Sequence, residues 1–189
     1  IAAAVLNQVQ IRPTDSGEYR PLLVRQRVAL ADQIETGARS QAQLLLLDKS
    51  TFTIGPNARL TIDRFVYNPG GRSVAATVAR GAFRFMSGRP DRGGDASIGT
   101  PVGTIGIRGT IVEGVVGSEA VAIAGHEDAI NPRLRSDPET ASLIVLRGPG
   151  AAAEGHGAPG EITVTAGIAS KRVSRASVFA AAVRARISE

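Results

Sequence analysis

Short apolar runs cut by turn residues limit what this chain can fold into. From position 41 onward it reads Gln41-Ala-Gln-Leu-Leu-Leu-Leu47, then Asp48-Lys-Ser, Thr51-Phe-Thr-Ile54, Gly55-Pro-Asn57, Ala58 through Tyr67, and Asn68-Pro-Gly-Gly71. Strand-length segments rich in β-branched residues alternate with breakers about every eight to ten positions, which suits strands and leaves no room for long helices. The rhythm resumes with Ser73 to Arg80, a Gly81 break, and Ala82-Phe-Arg-Phe-Met86, where Phe83 and Phe85 share a face because strand side chains repeat every two residues. Further strands are expected over 111–116, 120–124, 141–146 and 161–165, with loops over 87–95, 125–140 and the small-residue stretch 148–160.

The expected fold is therefore all-β. A β-solenoid is the first expectation and a β-sandwich the alternative, since short strands and sharp turns serve both. The 22 glycines and 10 prolines supply the breaks. With aromatics at 4% and no tryptophan, the core must be filled by Val, Ile, Leu and Ala, with Phe52, Phe65, Phe83 and Phe85 as the larger fillers. The pattern divides the chain into one β domain over 1–167 and a basic segment over 168–189. In that segment Phe179, Val183 and Ile187 fall four apart, as in a short amphipathic helix from about 175 to 188, although a final strand fits too.

A hydrophobic fraction of 43% with 21% charged residues excludes a disordered chain. The absence of cysteine excludes disulfides, thiolate metal sites and cysteine nucleophiles. No apolar run reaches the roughly 18 residues that span a bilayer as a helix. The start, Ile1-Ala-Ala-Ala-Val5, has the look of a mature chain after removal of a signal segment. A net charge of +5 invites a nucleic-acid reading, yet residues 1–170 are balanced to +1 and the excess sits at Lys171, Arg172, Arg175, Arg184 and Arg186. One aromatic, Phe179, is too few for a base-stacking platform. The basic tail is better read as a charged segment that keeps a sheet edge soluble.

The segment Thr100-Pro-Val-Gly-Thr-Ile-Gly-Ile-Arg-Gly-Thr110 is the most distinctive. Its glycines at 103, 106 and 109 do not make a phosphate loop, which requires Gly-Lys-Ser or Gly-Lys-Thr, or a last glycine that opens a helix. Gly109 leads instead into Thr-Ile-Val-Glu, which is strand material. A structural role follows: glycines where backbones approach or bend, Ile105, Ile107 and Ile111 on one side, and Arg108 as a hydrogen-bonding hub inside a corner. Thr100, Pro101, Gly106, Arg108, Gly109 and Thr110 are the residues assigned to this motif.

These residues resemble the signature of FecR-family domains, in which Thr-Pro is followed by apolar residues and then Arg-Gly-Thr. Leu47-Asp-Lys-Ser-Thr-Phe-Thr-Ile-Gly-Pro-Asn-Ala58 resembles the family's aspartate-turn strand pair, and Arg80-Gly-Ala-Phe-Arg-Phe-Met-Ser-Gly88 its basic-Gly strand. The resemblance runs from about residue 25 to 124 and more weakly to 167. It implies an extracytoplasmic β-rich domain of a Gram-negative bacterium, in the periplasm or at the cell surface, similar to the β-solenoid part of sigma-factor regulators. It brings no catalytic residues and no cofactor.

Enzyme chemistry finds little support. His126 and His156 both fall in loops, and there is no Gly-x-Ser-x-Gly elbow, no His-Glu-x-x-His helix and no suggestive carboxylate pair. Glu127, Asp128, Asp137 and Glu139 lack the order of a calcium loop and read as a solvated acidic loop. Two non-enzymatic functions remain: a binding or sensing module that contacts another envelope protein, or a structural subunit that stacks on copies of itself through open solenoid edges.

Overall fold

A computed structural model describes residues 1–68, 71–88, 94–128, 130, 136–149, 160–173 and 177–181. The strands, in chain order, are β1 (Ala2–Leu6), β2 (Val9–Arg12), β3 (Arg20–Pro21), β4 (Gln33–Thr36), β5 (Gln41–Leu45), β6 (Thr51–Ile54), β7 (Arg59–Asn68) and β8 (Gly71–Met86). They continue with β9 (Gly94–Thr100), β10 (Gly103–Arg108), β11 (Thr110–Val116), a helix α1 (Ser118–Ala124), β12 (Ser142–Pro149), β13 (Glu161–Ala166), β14 (Ala169–Val173) and β15 (Ser177–Ala181). The chain is mostly β, as its punctuation implies.

The strands form two sheets that share one member. The first runs β1-β5-β6-β8-β11-β12-β15, and the second β3-β2-β4-β7-β8-β9-β10-β13-β14. Strand β8 belongs to both. Its first half lies between β7 and β9, and its second half, from Gly81, lies between β6 and β11. In both sheets the strand order advances almost in step with the sequence, as stacked coils require. All pairings among the described residues are nevertheless antiparallel except β8 with β9, as hairpin-built sandwiches require.

One continuous core lies between the sheets. Ala42, Leu44, Phe52, Ile54, Phe83, Phe85, Val112, Ile144 and Leu146 come from the first sheet, and Ile11, Ile34, Leu60, Val74, Val78, Ile98, Ile105, Ile107, Ile162 and Val164 from the second. Phe52 and Phe85 meet with ring centroids 4.8 Å apart, a tilted pair in a mostly aliphatic interior.

Passing between sheets changes which alternate residues face inward. On β8 the buried series Val74, Ala76, Val78 slips by one to Phe83, Phe85, and the slip occurs at Gly81, whose φ is +84°. A Cβ there would lie 2.4 Å from the Ala58 Cα, so both the backbone angle and the space demand glycine. Gly109, φ +59°, does the same between β10 and β11: buried Ile105 and Ile107 give way to Thr110, Val112 and Val116. Ile111, expected beside Ile105 and Ile107, is therefore out of phase and only half-buried.

One expected element differs, and one open between two conformations is decided. Residues 120–124, read as a strand, lie in α1. Gly117 (φ +109°) turns the chain off β11, the place beside β11 goes to β12, and the alanine-rich run takes the conformation its propensity favours. Ala120 packs with Ala141 and Leu143 on the outer side of the first sheet. Of the two conformations open to the basic segment, residues 177–181 take the strand and pair with β12 from Ser142 to Leu146, whose edge is otherwise open among the described residues. Val183 and Ile187 lie outside the described residues, as does most of the 148–160 stretch.

The two glycines separate steric from conformational cost. Gly81→Ala is expected to lower stability by roughly 3 kcal/mol or more, since a backbone clash adds to the left-handed angle. Gly109→Ala, with nothing within 4 Å of its Cβ, should cost only about 1–2 kcal/mol. Urea denaturation of both variants measures the difference, and equal losses would contradict the close approach at Ala58.

Candidate functional site

The crossings gather at two corners of the molecule, because the half of β8 in the first sheet begins at Gly81 and ends at Met86, one corner from the other. The signature segment builds the second corner. Thr100 ends β9 and its Oγ1 donates to the Gly103 carbonyl at 3.1 Å, while Pro101 is exposed in the turn. A Cβ on Gly103 would lie 2.2 Å from the Thr165 carbonyl oxygen, so this glycine is set by close approach; at Gly106 the corresponding contact is an ordinary 3.7 Å. Gly109 makes the crossing.

Arg108, expected inside the corner as its hub, is exposed at the end of β10, in register with Glu161. Alternation explains this, for Ile107 takes the inward position and Arg108 must face out. The buried polar group of the segment is Thr110, fully enclosed, whose N–H donates to Ser87 Oγ at 3.4 Å while the Ser87 N–H donates to the Thr110 carbonyl at 3.2 Å. Beside it, Ser50 Oγ accepts the Gly88 N–H at 3.0 Å and donates to Asp48 Oδ2 at 2.5 Å, and Asp48 Oδ1 accepts the Ser50 N–H at 3.0 Å. The turn after β5, the end of β8 and the start of β11 are thus tied by buried polar groups into one closed corner.

The first corner is open. Asn7, Gln8, Thr36, Gly37, Asn57, Gly81 and Gly117 line a groove of about 1,260 Å³. Its floor is made of chain crossings held by backbone bonds, such as the Gly37 N–H to the Gln8 carbonyl at 2.9 Å, and by Thr36, whose Oγ1 accepts the Ala58 N–H at 2.9 Å. One wall carries Gln10, Pro21, Leu22 and Leu23; the other carries Ser118, Glu119, Pro138 and Glu139.

Glu35 and Arg80 sit where the groove meets the outer face of the second sheet. The Glu35 carboxylate accepts the Arg59 Nε–H and the Tyr19 hydroxyl (2.8 Å), and lies 3.6 Å from Arg80. Tyr19 also lies 2.6 Å from the Gln33 amide oxygen and carries the Arg12 guanidinium 5.2 Å above its ring. Burial alone would raise the Glu35 carboxyl pKa, but hydrogen bonds from Tyr19 and Arg59 and the charges of Arg59 and Arg80 outweigh it and hold it below the usual range. Burial and the Glu35 carboxylate raise the Tyr19 hydroxyl. The first sheet repeats the pattern, with Glu113 between Arg147 (2.6 Å) and Arg84 (3.7 Å).

Residue pattern did not single out Glu35, Arg59 or Ser87, and it marked Arg80 only as the basic residue of the basic-Gly strand. The usable signal was the alternation Gln33-Ile-Glu-Thr36, which puts Glu35 on an outer face, and an arginine immediately before the Gly81 break. Neighbouring strands, not neighbouring residues, bring these groups together. Among the described residues no group of three or more His, Cys, Asp or Glu gathers as metal ligands, and Asp137 instead accepts the Glu139 N–H at 2.9 Å within its own turn. His126 is exposed just after α1, and His156 lies outside the described residues.

A family model described as FecR protein matches residues 32–130, more than half of the 189-residue chain. The matched stretch contains Glu35, Asp48, Ser50, Arg80, Ser87, Thr110 and Glu119. No curated protein matches. Two crystal structures of a candidate anti-sigma factor from Parabacteroides distasonis resemble the fold, with TM-scores of 0.47 and 0.46 at 10% and 11% identity over 79% of this chain. The chain covers 59% of those proteins.

Two substitutions test the corners. Ser50→Ala removes the buried acceptor of the Gly88 N–H and the hydroxyl that donates to Asp48 Oδ2, and should cost about 2 kcal/mol in a denaturant titration. Glu35→Gln should cost about 1 kcal/mol at neutral pH. Because the folded-state pKa of Glu35 lies below its unfolded value, that contribution is complete above the usual carboxylate range and disappears as pH falls through the folded value. The melting temperatures of Glu35→Gln and the parent chain should therefore draw together as the pH falls below the usual carboxylate range of about 4.3, and a gap that stays constant however far the pH falls below it would show that charge is not the cause.

Proposed function

The chain belongs to the FecR family, and we propose that it acts as a non-enzymatic protein-binding module that senses a signal on the extracytoplasmic side of the bacterial envelope. The observation that carries this reading is the open corner groove. It lies along the seam between two sheets that share a strand, so an occupant touches both sheets at once. A binding event there is coupled to the packing of the whole domain, which is what a sensor needs.

The signature residues support a binding rather than a catalytic role by where they are spent. Thr110 is held in the closed corner, and Thr100 and Gly103 shape a turn. The strand order, advancing with the sequence in both sheets, favours a solenoid-like stack over a sandwich of independent sheets. No helix among the described residues is long and apolar enough to cross a membrane.

The test uses the chain in its native cells with a photo-crosslinking residue placed at exposed positions around both sheets, together with light scattering of the purified protein. A discrete adduct with one envelope protein and a monomeric mass are expected. Uniform filaments in electron micrographs, or adducts with copies of itself alone, would assign the domain to a self-stacking lattice instead.

A further inference from the structure

The groove at the open corner has a charge that the rest of the molecule does not share. Its lining holds three carboxylates, Glu35, Glu119 and Glu139, against one guanidinium, Arg80, in a chain whose net charge is +5. Glu35 and Arg80 already face each other. Glu119 and Glu139 are exposed on the same wall, and among the described residues neither forms an ion pair.

We propose that the groove receives an extended peptide segment of a partner protein, with arginine or lysine side chains of that segment set against Glu119 and Glu139. This rests on the binding-module reading and names the site and chemistry of the partner.

Three observations carry it. First, small-molecule pockets run to roughly 300–1,000 Å³. A groove of about 1,260 Å³ exceeds that range and suits a strip of chain better than a compact ligand. Second, Gly117 lies in the groove lining and a Cβ there would meet nothing within 4 Å, so an incoming backbone can approach closely at that crossing. Third, the walls differ. Leu23, 65% exposed, stands with Pro21 on one side, and the two carboxylates stand on the other. A segment that alternates apolar and cationic side chains satisfies both walls at once, because alternate side chains of an extended chain point to opposite sides. A polyanion meets the reverse: nucleic acid and anionic lipid would be repelled from this wall, although the chain as a whole is basic.

The probe is a fluorescein-labelled peptide of alternating valine and arginine, compared with its valine–glutamate counterpart, with binding followed by anisotropy on the full chain. The arginine peptide should bind and the glutamate peptide should not. The double variant Glu119→Gln/Glu139→Gln should weaken the arginine peptide roughly three- to tenfold, as expected for two exposed ion pairs. Glu18→Gln, at an exposed position outside the groove lining, should leave binding unchanged. Unchanged binding in the double variant, or equal binding of both peptides, overturns the proposal. Circular dichroism melts of the variants show whether folding is retained; both glutamates are exposed, so it should be.

In cells, crosslinkers at Gln10 in the groove and at Thr165 on the outer face of the second sheet separate the two levels of the claim. Adducts with an envelope protein from Gln10 support the groove. Adducts from Thr165 alone overturn the groove and leave the binding-module reading standing, whereas adducts from neither position sink both. A crosslink from Gln10 to residues 182–189 of the same chain overturns the proposal too, since the cationic occupant would then be internal.

Discussion

A buried backbone N–H must find an acceptor, and a chain that crosses repeatedly between two sheets leaves such groups stranded at every bend. Here hydroxyl side chains from elsewhere in the sequence take them up. Thr36 accepts the Ala58 N–H, Ser40 accepts that of Gln8, Ser50 that of Gly88 and Ser87 that of Thr110. All four side chains are buried, so each bond replaces a group that would otherwise cost about 1–3 kcal/mol. The aliphatic core can be continuous from one sheet to the other because its polar obligations are met at the corners.

The strands were legible in the sequence because alternation and breakers are local signals. Thr51-Phe-Thr-Ile54 and Glu161-Ile-Thr-Val-Thr165 reveal their inward faces to any reader who counts by two. What could not be read was which sheet each strand joins, since that depends on the one-residue slips at Gly81 and Gly109, and a glycine in a strand looks the same whether it bends, bulges or crosses. The same blindness placed Arg108 indoors: an arginine flanked by glycines has no local mark of facing out, and only the inward Ile107 beside it decides. At α1 the run Ala120-Val-Ala-Ile-Ala124 is ambiguous by itself, and the prior claim of β12 on the edge of β11 settles it.

The recognisable motif and the open groove lie at different corners. Thr110, Ser87, Ser50 and Asp48 close one end of the sheets, while Gly37, Asn57, Gly81 and Gly117 floor the other. A signature of this kind identifies the scaffold and is silent on what the scaffold holds. The groove walls are built from β2, the end of β3 and the two residues after it, the first turn of α1 and the turn before β12, segments with no common motif, so their chemistry is free to differ without disturbing the corner that keeps the sheets together.

Strand β8 gives the molecule a mechanical character. It is flanked by a neighbour on each side in both sheets, by β7 and β9 over its first half and by β6 and β11 over its second. The two sheets therefore behave as plates fixed to a single rod. Neither can slide along β8 without shearing the two ladders that hold it there, and a twist imposed on one plate is carried through Gly81 into the other as torsion rather than dissipated as slip.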